Sequence, residues 1–110
     1  MDQLTIREKV GVNYMLLELS GTMNSNTCVE LQQKVFQYII DSNVVLDMEQ
    51  VQVIDSTGVG IVIAGHNDGD ANDTKLFIMN PSEPARIALG KTGFMDVFHV
   101  IHSVTEVADA

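Results

Sequence analysis

Alternating apolar and polar positions near the start of the chain predict two β-strands joined by a tight turn. Leu4 and Ile6 precede the turn-forming residues 11–13, and apolar positions resume within residues 14–19. A period of two is typical of strands that bury one face. We therefore expect an N-terminal β-hairpin whose second strand ends at Gly21.

A change to spacings of three and four predicts the first helix. Residues 22–27 are rich in Ser, Thr and Asn, so we expect a loop there that ends in a helix N-cap. Between residues 28 and 41 the apolar side chains recur at helical spacing: Cys28, Leu31, Val35, Phe36, Ile39 and Ile40. This pattern predicts an amphipathic helix with one face on the core.

Short apolar runs in the middle of the chain predict buried strands. Residues 44–46 and 76–79 are apolar runs too short for helices. A further apolar segment, residues 51–54, leads into a helix start at residues 55–58. The helix that follows is almost wholly apolar, and we expect it to end early because residues 68–73 are polar and acidic.

The last third of the chain predicts one more helix and one more strand. Ser82 is placed to cap a helix with Pro84 in its first turn, and Gly93 is placed to end that helix after Lys91. Residues 97–104 contain a final short strand. Strands that alternate with helices run parallel and are joined by crossover helices, so the predicted fold class is α/β with an antiparallel hairpin at its start.

Length, charge and cysteine content exclude several classes of protein. The chain has 110 residues, which we expect to form one domain, residues 1–110. It carries 15 acidic and 6 basic residues, and the net charge of −9 argues against binding nucleic acid or anionic membranes. Apolar runs are too short to span a membrane, the N-terminus lacks the plan of a signal peptide, and Cys28 is the single cysteine. These features indicate a small acidic protein of the cytoplasm without a disulfide.

The junction between the strand that ends at Ile54 and the next helix is the candidate functional site. It places the Ser56 hydroxyl near the unpaired N–H groups of a helix N-terminus, which favour negative charge. A phosphate on Ser56 would gain hydrogen bonds there, and Gly58 and Gly60 would let a partner approach closely. Asp, Ser and Thr also cap helices for purely structural reasons, so residue types alone leave a structural role open.

Other chemistries find little support in the sequence. Dinucleotide binding would need a third glycine where Ile63 stands, and an EF-hand starting at Asp68 would need glycine and glutamate where Asp73 and Met79 stand. The histidines lack metal-ligand spacing: His66, His99 and His102. The G-x-S-x-G motif of serine hydrolases is missing. We expect no enzyme activity, no metal and no cofactor.

Six consecutive residues carry a resemblance to a known family: Asp55, Ser56, Thr57, Gly58, Val59 and Gly60. They match the D-S-[ST]-G-[LV]-G signature of the STAS family, and the chain resembles its single-domain anti-sigma factor antagonists. Residues 16–21, 44–47, 75–79 and 84–94 resemble the strands and the late helix of that family in the same order. The resemblance implies a mixed sheet of about four to five strands, with an N-terminal hairpin, packed against three to four helices.

The resemblance also implies partner switching. In this family the serine after the signature aspartate, here Ser56, is phosphorylated by a serine kinase that is often also an anti-sigma factor. The unphosphorylated protein binds that kinase, phosphorylation breaks the complex, and a PP2C-type phosphatase restores the binding form. The signature residues around Ser56, together with Asn24, are expected to support the phosphorylation site or to bind the partner.

Two alternatives stay open at this point. Asn24 stands where the family often has an aspartate, so the chain could be a constitutive STAS scaffold that has lost the switch. A small-ligand or nucleotide-sensing domain is the other alternative. Acidic residues at 47–49, at Asp55 and at 68–73 flank the Ser56 segment in sequence, which predicts a basic docking face on the partner. The regulated process (sigma-factor release, stress response, biofilm control or secretion) is left open.

Overall fold

The computed structural model describes residues 2–109, within which it shows five strands, three α-helices and one 3₁₀ helix. The strands are β1 (Leu4–Val10), β2 (Tyr14–Met23), β3 (Asn43–Ile54), β4 (Leu76–Met79) and β5 (His99–Ile101). The helices are α1 (Val29–Tyr38), α2 (Ser56–Ala71) and α3 (Glu83–Gly90), followed by the 3₁₀ helix over Val104–Asp109.

The strands form one mixed sheet in the order β1-β2-β3-β4-β5. β1 runs antiparallel to β2, and each later pair of neighbours is parallel. The hairpin turn closes through the Gly11 N–H, which donates to the Tyr14 carbonyl at 2.8 Å. The predicted α/β class is confirmed, with an N-terminal hairpin, five strands and three α-helices.

The three α-helices pack on one face of the sheet. Each contributes side chains to the main core, among them Leu31, Val62 and Leu89, which lie with Leu17 and Leu46 of the strands. The opposite face carries a smaller cluster that the 3₁₀ helix covers: Leu16, Val45, Phe77, Met79, Ile101 and Val107. Neighbouring residues such as Leu16 and Leu17 belong to different clusters because successive side chains of a strand point to opposite faces.

The unequal lengths of β3 and β4 make room for the site. β4 pairs with residues 44–47 of β3, whereas β2 stays paired with β3 as far as Met23 opposite Ile54. α3 packs against β3, and the Ser82 N–H just before α3 donates to the Met48 carbonyl at 3.1 Å. The carboxyl end of β3 is therefore bordered by β2 and by α3.

The expectation that the second helix ends early is wrong. α2 continues to Ala71, and Asp68 and Asp70 lie in its last turns with their side chains exposed. Gly65 and Gly69, on the same helix, are buried against the core. Asp68 and Asp70 thus lie on the solvent-facing side of a helix whose Gly65 and Gly69 face inward.

Several predicted boundaries also move. The two apolar runs at residues 44–46 and 51–54 belong to the single strand β3, and β2 continues past Gly21 to Met23. Gly21 has a φ of +113°, a conformation that favours glycine, and the register shifts beside it, so it marks a bulge within the strand. The predicted final strand at residues 97–104 shortens to β5.

The predicted helix caps are confirmed at α3 and differ at α1. The Ser82 Oγ accepts from the Ala85 N–H, and Gly93 has a φ of +78° just after α3. α1 begins after Cys28 without a side-chain cap, and the Thr27 hydroxyl instead accepts from the Asn24 N–H at 2.9 Å and donates to the Thr22 carbonyl at 2.7 Å. Cys28 itself is buried in the main core, as expected of a small apolar residue.

Two histidines join α2 to β5 through a ring cluster. The His66 ring is buried, with its centroid 5.3 Å from that of His99 and 5.7 Å from that of Phe98. His99 also lies against Phe77. Burial lowers the pKa of His99 below its ordinary value of 6.5, and the nearby His66 and Lys75 lower it further.

We predict that this cluster makes stability fall as the pH drops below about 6.5. In that range the unfolded chain takes up a proton at His99, whereas the folded chain resists protonation, so protons favour unfolding. Urea denaturation at pH 7.5 and at pH 5.5 should show a smaller loss of unfolding free energy for His99→Gln than for the parent chain. An equal loss in His99→Gln and in the parent chain would contradict the assignment to His99.

Candidate functional site

Asp55 caps the helix that carries the candidate site. Its backbone is extended (φ −107°, ψ −169°), and its carboxylate accepts from the Thr57 N–H at 2.9 Å and the Gly58 N–H at 3.4 Å. The Val59 N–H donates to the Asp55 carbonyl at 3.1 Å as the first turn forms. Asp55 thereby satisfies two of the N–H groups that a helix start leaves unpaired.

Ser56 is the first residue of α2, and its side chain is exposed. Its hydroxyl makes no hydrogen bond within residues 2–109, whereas the neighbouring Asp55 side chain is engaged in the cap. The hydroxyl of Thr57 lies at a half-buried position next to it. Ser56 is accordingly the signature hydroxyl most open to a modifying enzyme.

The two signature glycines face different surroundings. A Cβ on the buried Gly58 would lie 2.8 Å from Ile54 Cγ1 and 3.0 Å from Met23 Cβ, which is closer than side chains tolerate. A Cβ on the exposed Gly60 would meet nothing within 4 Å. Gly58 therefore lets α2 approach the ends of β2 and β3, and Gly60 leaves open surface beside Ser56.

A groove of about 400 Å³ lies beside Ser56, between α2 and α3. One wall comes from the end of β3 and the start of α2, and the other comes from the end of α3. Its lining is largely apolar, with polar groups at the edges: Ile54, Asp55, Ser56, Val59, Gly60, Ile63, Ala88, Lys91 and Thr92. Such a surface suits binding of an apolar segment from another molecule.

Asn24 lies at the same edge of the sheet, directly after β2. The Asp55 N–H donates to the Met23 carbonyl at 3.0 Å, which holds the ends of β2 and β3 side by side. The Asn24 side chain orders its own loop, because its Oδ1 accepts from the Asn26 N–H and its Nδ2 donates to Asp2 at 3.0 Å. An aspartate at this position could not donate to Asp2, so the amide gives the loop a contact that the usual family residue would lack.

Comparison with known proteins agrees with this architecture. Residues 3–107 match the model of the STAS domain. The chain belongs to the STAS domain family. The family resemblance drawn from the signature residues is therefore confirmed.

Solved structures show the same fold at low sequence identity. An anti-sigma factor antagonist from Mycobacterium paratuberculosis has a TM-score of 0.81 and 20% identity, over 96% of this chain and 92% of that one. The anti-sigma factor antagonist SpoIIAA in its unphosphorylated form has a TM-score of 0.76 and 18% identity, over 96% and 93% of the two chains. Bacillus SpoIIAA in its phosphorylated form has a TM-score of 0.72 and 18% identity, over 96% of each chain. Comparison with curated proteins gave no significant match.

The acidic segments of this STAS domain do not all surround Ser56. Asp68 lies twelve residues along α2 from Ser56, roughly 18 Å at the rise of an α-helix. Asp47 lines a different cleft, together with Arg7 and Glu18 of the neighbouring strands. Asp55 is the acidic residue that lines the groove, and the basic docking face expected on the partner stays a prediction.

Sequence reasoning missed the far wall of the groove. Ala88, Lys91 and Thr92 come from α3 and the turn after it, far from the signature in sequence. Periodicity identified α3, but only the packing of α3 beside the overhanging half of β3 brings these residues opposite Ser56. Within residues 2–109, no three His, Cys, Asp or Glu side chains are grouped closely enough to hold a metal ion. No helix within residues 2–109 has both the length and the apolar character needed to cross a membrane.

We predict opposite effects of alanine at the two signature glycines. Gly58→Ala should lower the free energy of unfolding by about 1–3 kcal/mol, because the new methyl group would collide with Ile54 and Met23. Gly60→Ala should leave stability unchanged or raise it by up to about 1 kcal/mol, because alanine favours the helix and the space is open. Chemical denaturation of both variants tests this, and a Gly58→Ala protein as stable as Gly60→Ala would refute the close approach at Gly58.

Proposed function

We propose that this STAS domain is an anti-sigma factor antagonist that works by partner switching. Its unphosphorylated form binds a serine kinase that is also an anti-sigma factor, and phosphorylation of Ser56 disrupts the complex. A PP2C-type phosphatase returns the domain to its binding form. The observation that carries the proposal is the exposed Ser56 hydroxyl at the edge of an apolar groove, on a helix start held by Asp55.

The identities of the proteins with a similar fold support this role. They include anti-sigma factor antagonists, and one of them, SpoIIAA, is known in both unphosphorylated and phosphorylated forms. The proposed role requires no catalytic activity of the domain, which supplies the hydroxyl that is phosphorylated and a surface that binds the partner. It also places the domain in the cytoplasm, where a kinase finds ATP.

Simple energetics make a phosphate at Ser56 an effective switch. A partner seated in the groove would exclude water from the position of the Ser56 side chain. A phosphate adds about −1.5 to −2 of charge, which is costly to desolvate without a matching cation on the partner. A hundredfold loss of affinity needs only about 2.7 kcal/mol, which is within the penalty for an unpaired buried charge.

We predict that Ser56 is the phosphorylated residue. Incubation with ATP and the cognate serine kinase should add about 80 Da in intact-mass measurement. Ser56→Ala should abolish the gain. Thr57→Ala, which removes the adjacent hydroxyl, should keep it, and a gain that survives Ser56→Ala would disprove the assignment.

We also predict that charge at residue 56 weakens partner binding. Ser56→Asp should bind the same kinase about tenfold or more weakly than the parent chain, because the carboxylate must lose its water in the complex. The side chain in Ser56→Asn has nearly the same shape as the one in Ser56→Asp but carries no charge. Ser56→Asn should therefore retain most of the parent chain's affinity for the kinase. Equal dissociation constants for the Asp and Asn variants, measured by calorimetry, would favour a constitutive scaffold instead.

A further inference from the structure

Lys91 and Ser56 line the same groove. Ser56 belongs to the wall formed by α2, and Lys91 and Thr92 belong to the wall formed by the end of α3. Lys91 is exposed and forms no ion pair within residues 2–109. Of the other lysines, Lys9 pairs with Glu18 and Lys34 pairs with Glu8 and Glu30, whereas Lys75 does not line the groove.

We propose that Lys91 forms an ion pair with the phosphate group after Ser56 is phosphorylated. Its ammonium group would bind the phosphoserine and hold it across the mouth of the groove. This inference rests on the proposed function, because it concerns how the modified state of the same site is stabilised. It assigns a positioning role to a residue outside the signature.

The surroundings of the groove leave Lys91 as the donor on the far wall. The Thr92 hydroxyl already donates to the Leu89 carbonyl at 2.6 Å and accepts from the Phe94 N–H at 3.0 Å. Lys91 is the only cationic side chain among the residues that line the groove. A lysine combines three rotatable donors with a flexible four-carbon stem, so it suits a phosphate that moves into place after modification.

The negative charge of Asp55, beside Ser56, also favours an orientation of the phosphate toward Lys91. The Asp55 carboxylate, one residue before Ser56, repels a second anion. The free end of a phosphoserine would therefore be repelled by Asp55 and attracted by Lys91. The remaining N–H groups at the start of α2 add to the stability of the dianion without deciding its direction.

In this arrangement the phosphate would block the groove sterically in addition to adding negative charge. Held between Ser56 and Lys91, it would lie over the apolar lining, including Val59 and Ala88, on which a partner would pack. A carboxylate at residue 56 is shorter and carries one charge, so it would not bridge the groove. The Ser56→Asp variant should therefore be a weaker switch than true phosphorylation.

Titration of the phosphate by ³¹P NMR tests the inference directly. Phosphoserine is placed at residue 56 during translation by an expanded genetic code, so no kinase is needed. The second ionisation of a phosphoserine lies near pH 6. Lys91→Gln should raise its titration midpoint by about 0.5 pH unit at low salt, the scale expected when one exposed cation facing a dianion is removed.

Two further variants separate a local contact from the general charge of the domain. Arg86→Gln removes one positive charge from the same helix, but Arg86 lines a different groove with Glu49 and Met95, so its midpoint should move by no more than about 0.1 pH unit. Lys91→Arg keeps the cation and should restore the parent midpoint. An unchanged midpoint in Lys91→Gln, or an equal rise in Arg86→Gln, would overturn the role of Lys91. A kinase that fails to modify Ser56 would count against the proposed function and leave this measurement unaffected.

Discussion

The contact between α2 and the ends of β2 and β3 at Gly58 determines the geometry of the whole site. No side chain fits there, because Ile54 and Met23 occupy the space that a Cβ would need. The same few residues also carry the Asp55 cap and the hydrogen bond from the Asp55 N–H to the Met23 carbonyl. Helix, cap and strand ends are thus held as one unit, and Ser56 is fixed on its outer side. The phosphorylation proposed at Ser56 would therefore modify a helix start that is held by the cap and by the strand ends.

The sheet contributes to the site through its asymmetry. β3 has 12 residues and β4 has 4, so β3 extends beyond β4 and leaves an edge that the polypeptide entering α3 occupies. The end of α3 then stands opposite the start of α2, and the groove forms between them. An open groove of this kind suits a segment of another macromolecule better than an enclosed small substrate, which agrees with the proposed function.

The sequence predicted the α/β class, the hairpin and the α3 caps because periodicity, turn residues and capping residues are local signals. It failed at α2, where the polar residues 68–73 looked like a loop, because a helix can keep polar side chains in solvent while Gly65 and Gly69 pack inward. Ser56 was found from the signature and the strand-to-helix junction. Lys91 and Ala88 were not, because their position opposite Ser56 depends on tertiary packing between elements that are distant in the chain.

The glycine content of α2 has a consequence for how the domain folds. Four of its 16 residues are glycine, and each weakens an isolated helix by about 1 kcal/mol relative to alanine. Gly58, Gly65 and Gly69 are required by close neighbours in the folded state, so helical propensity has been given up for contact with the sheet. The stability of α2 therefore depends on its packing against the sheet. A kinase that recognises the capped turn at Ser56 would distinguish folded domains from unfolded chains without any separate quality check.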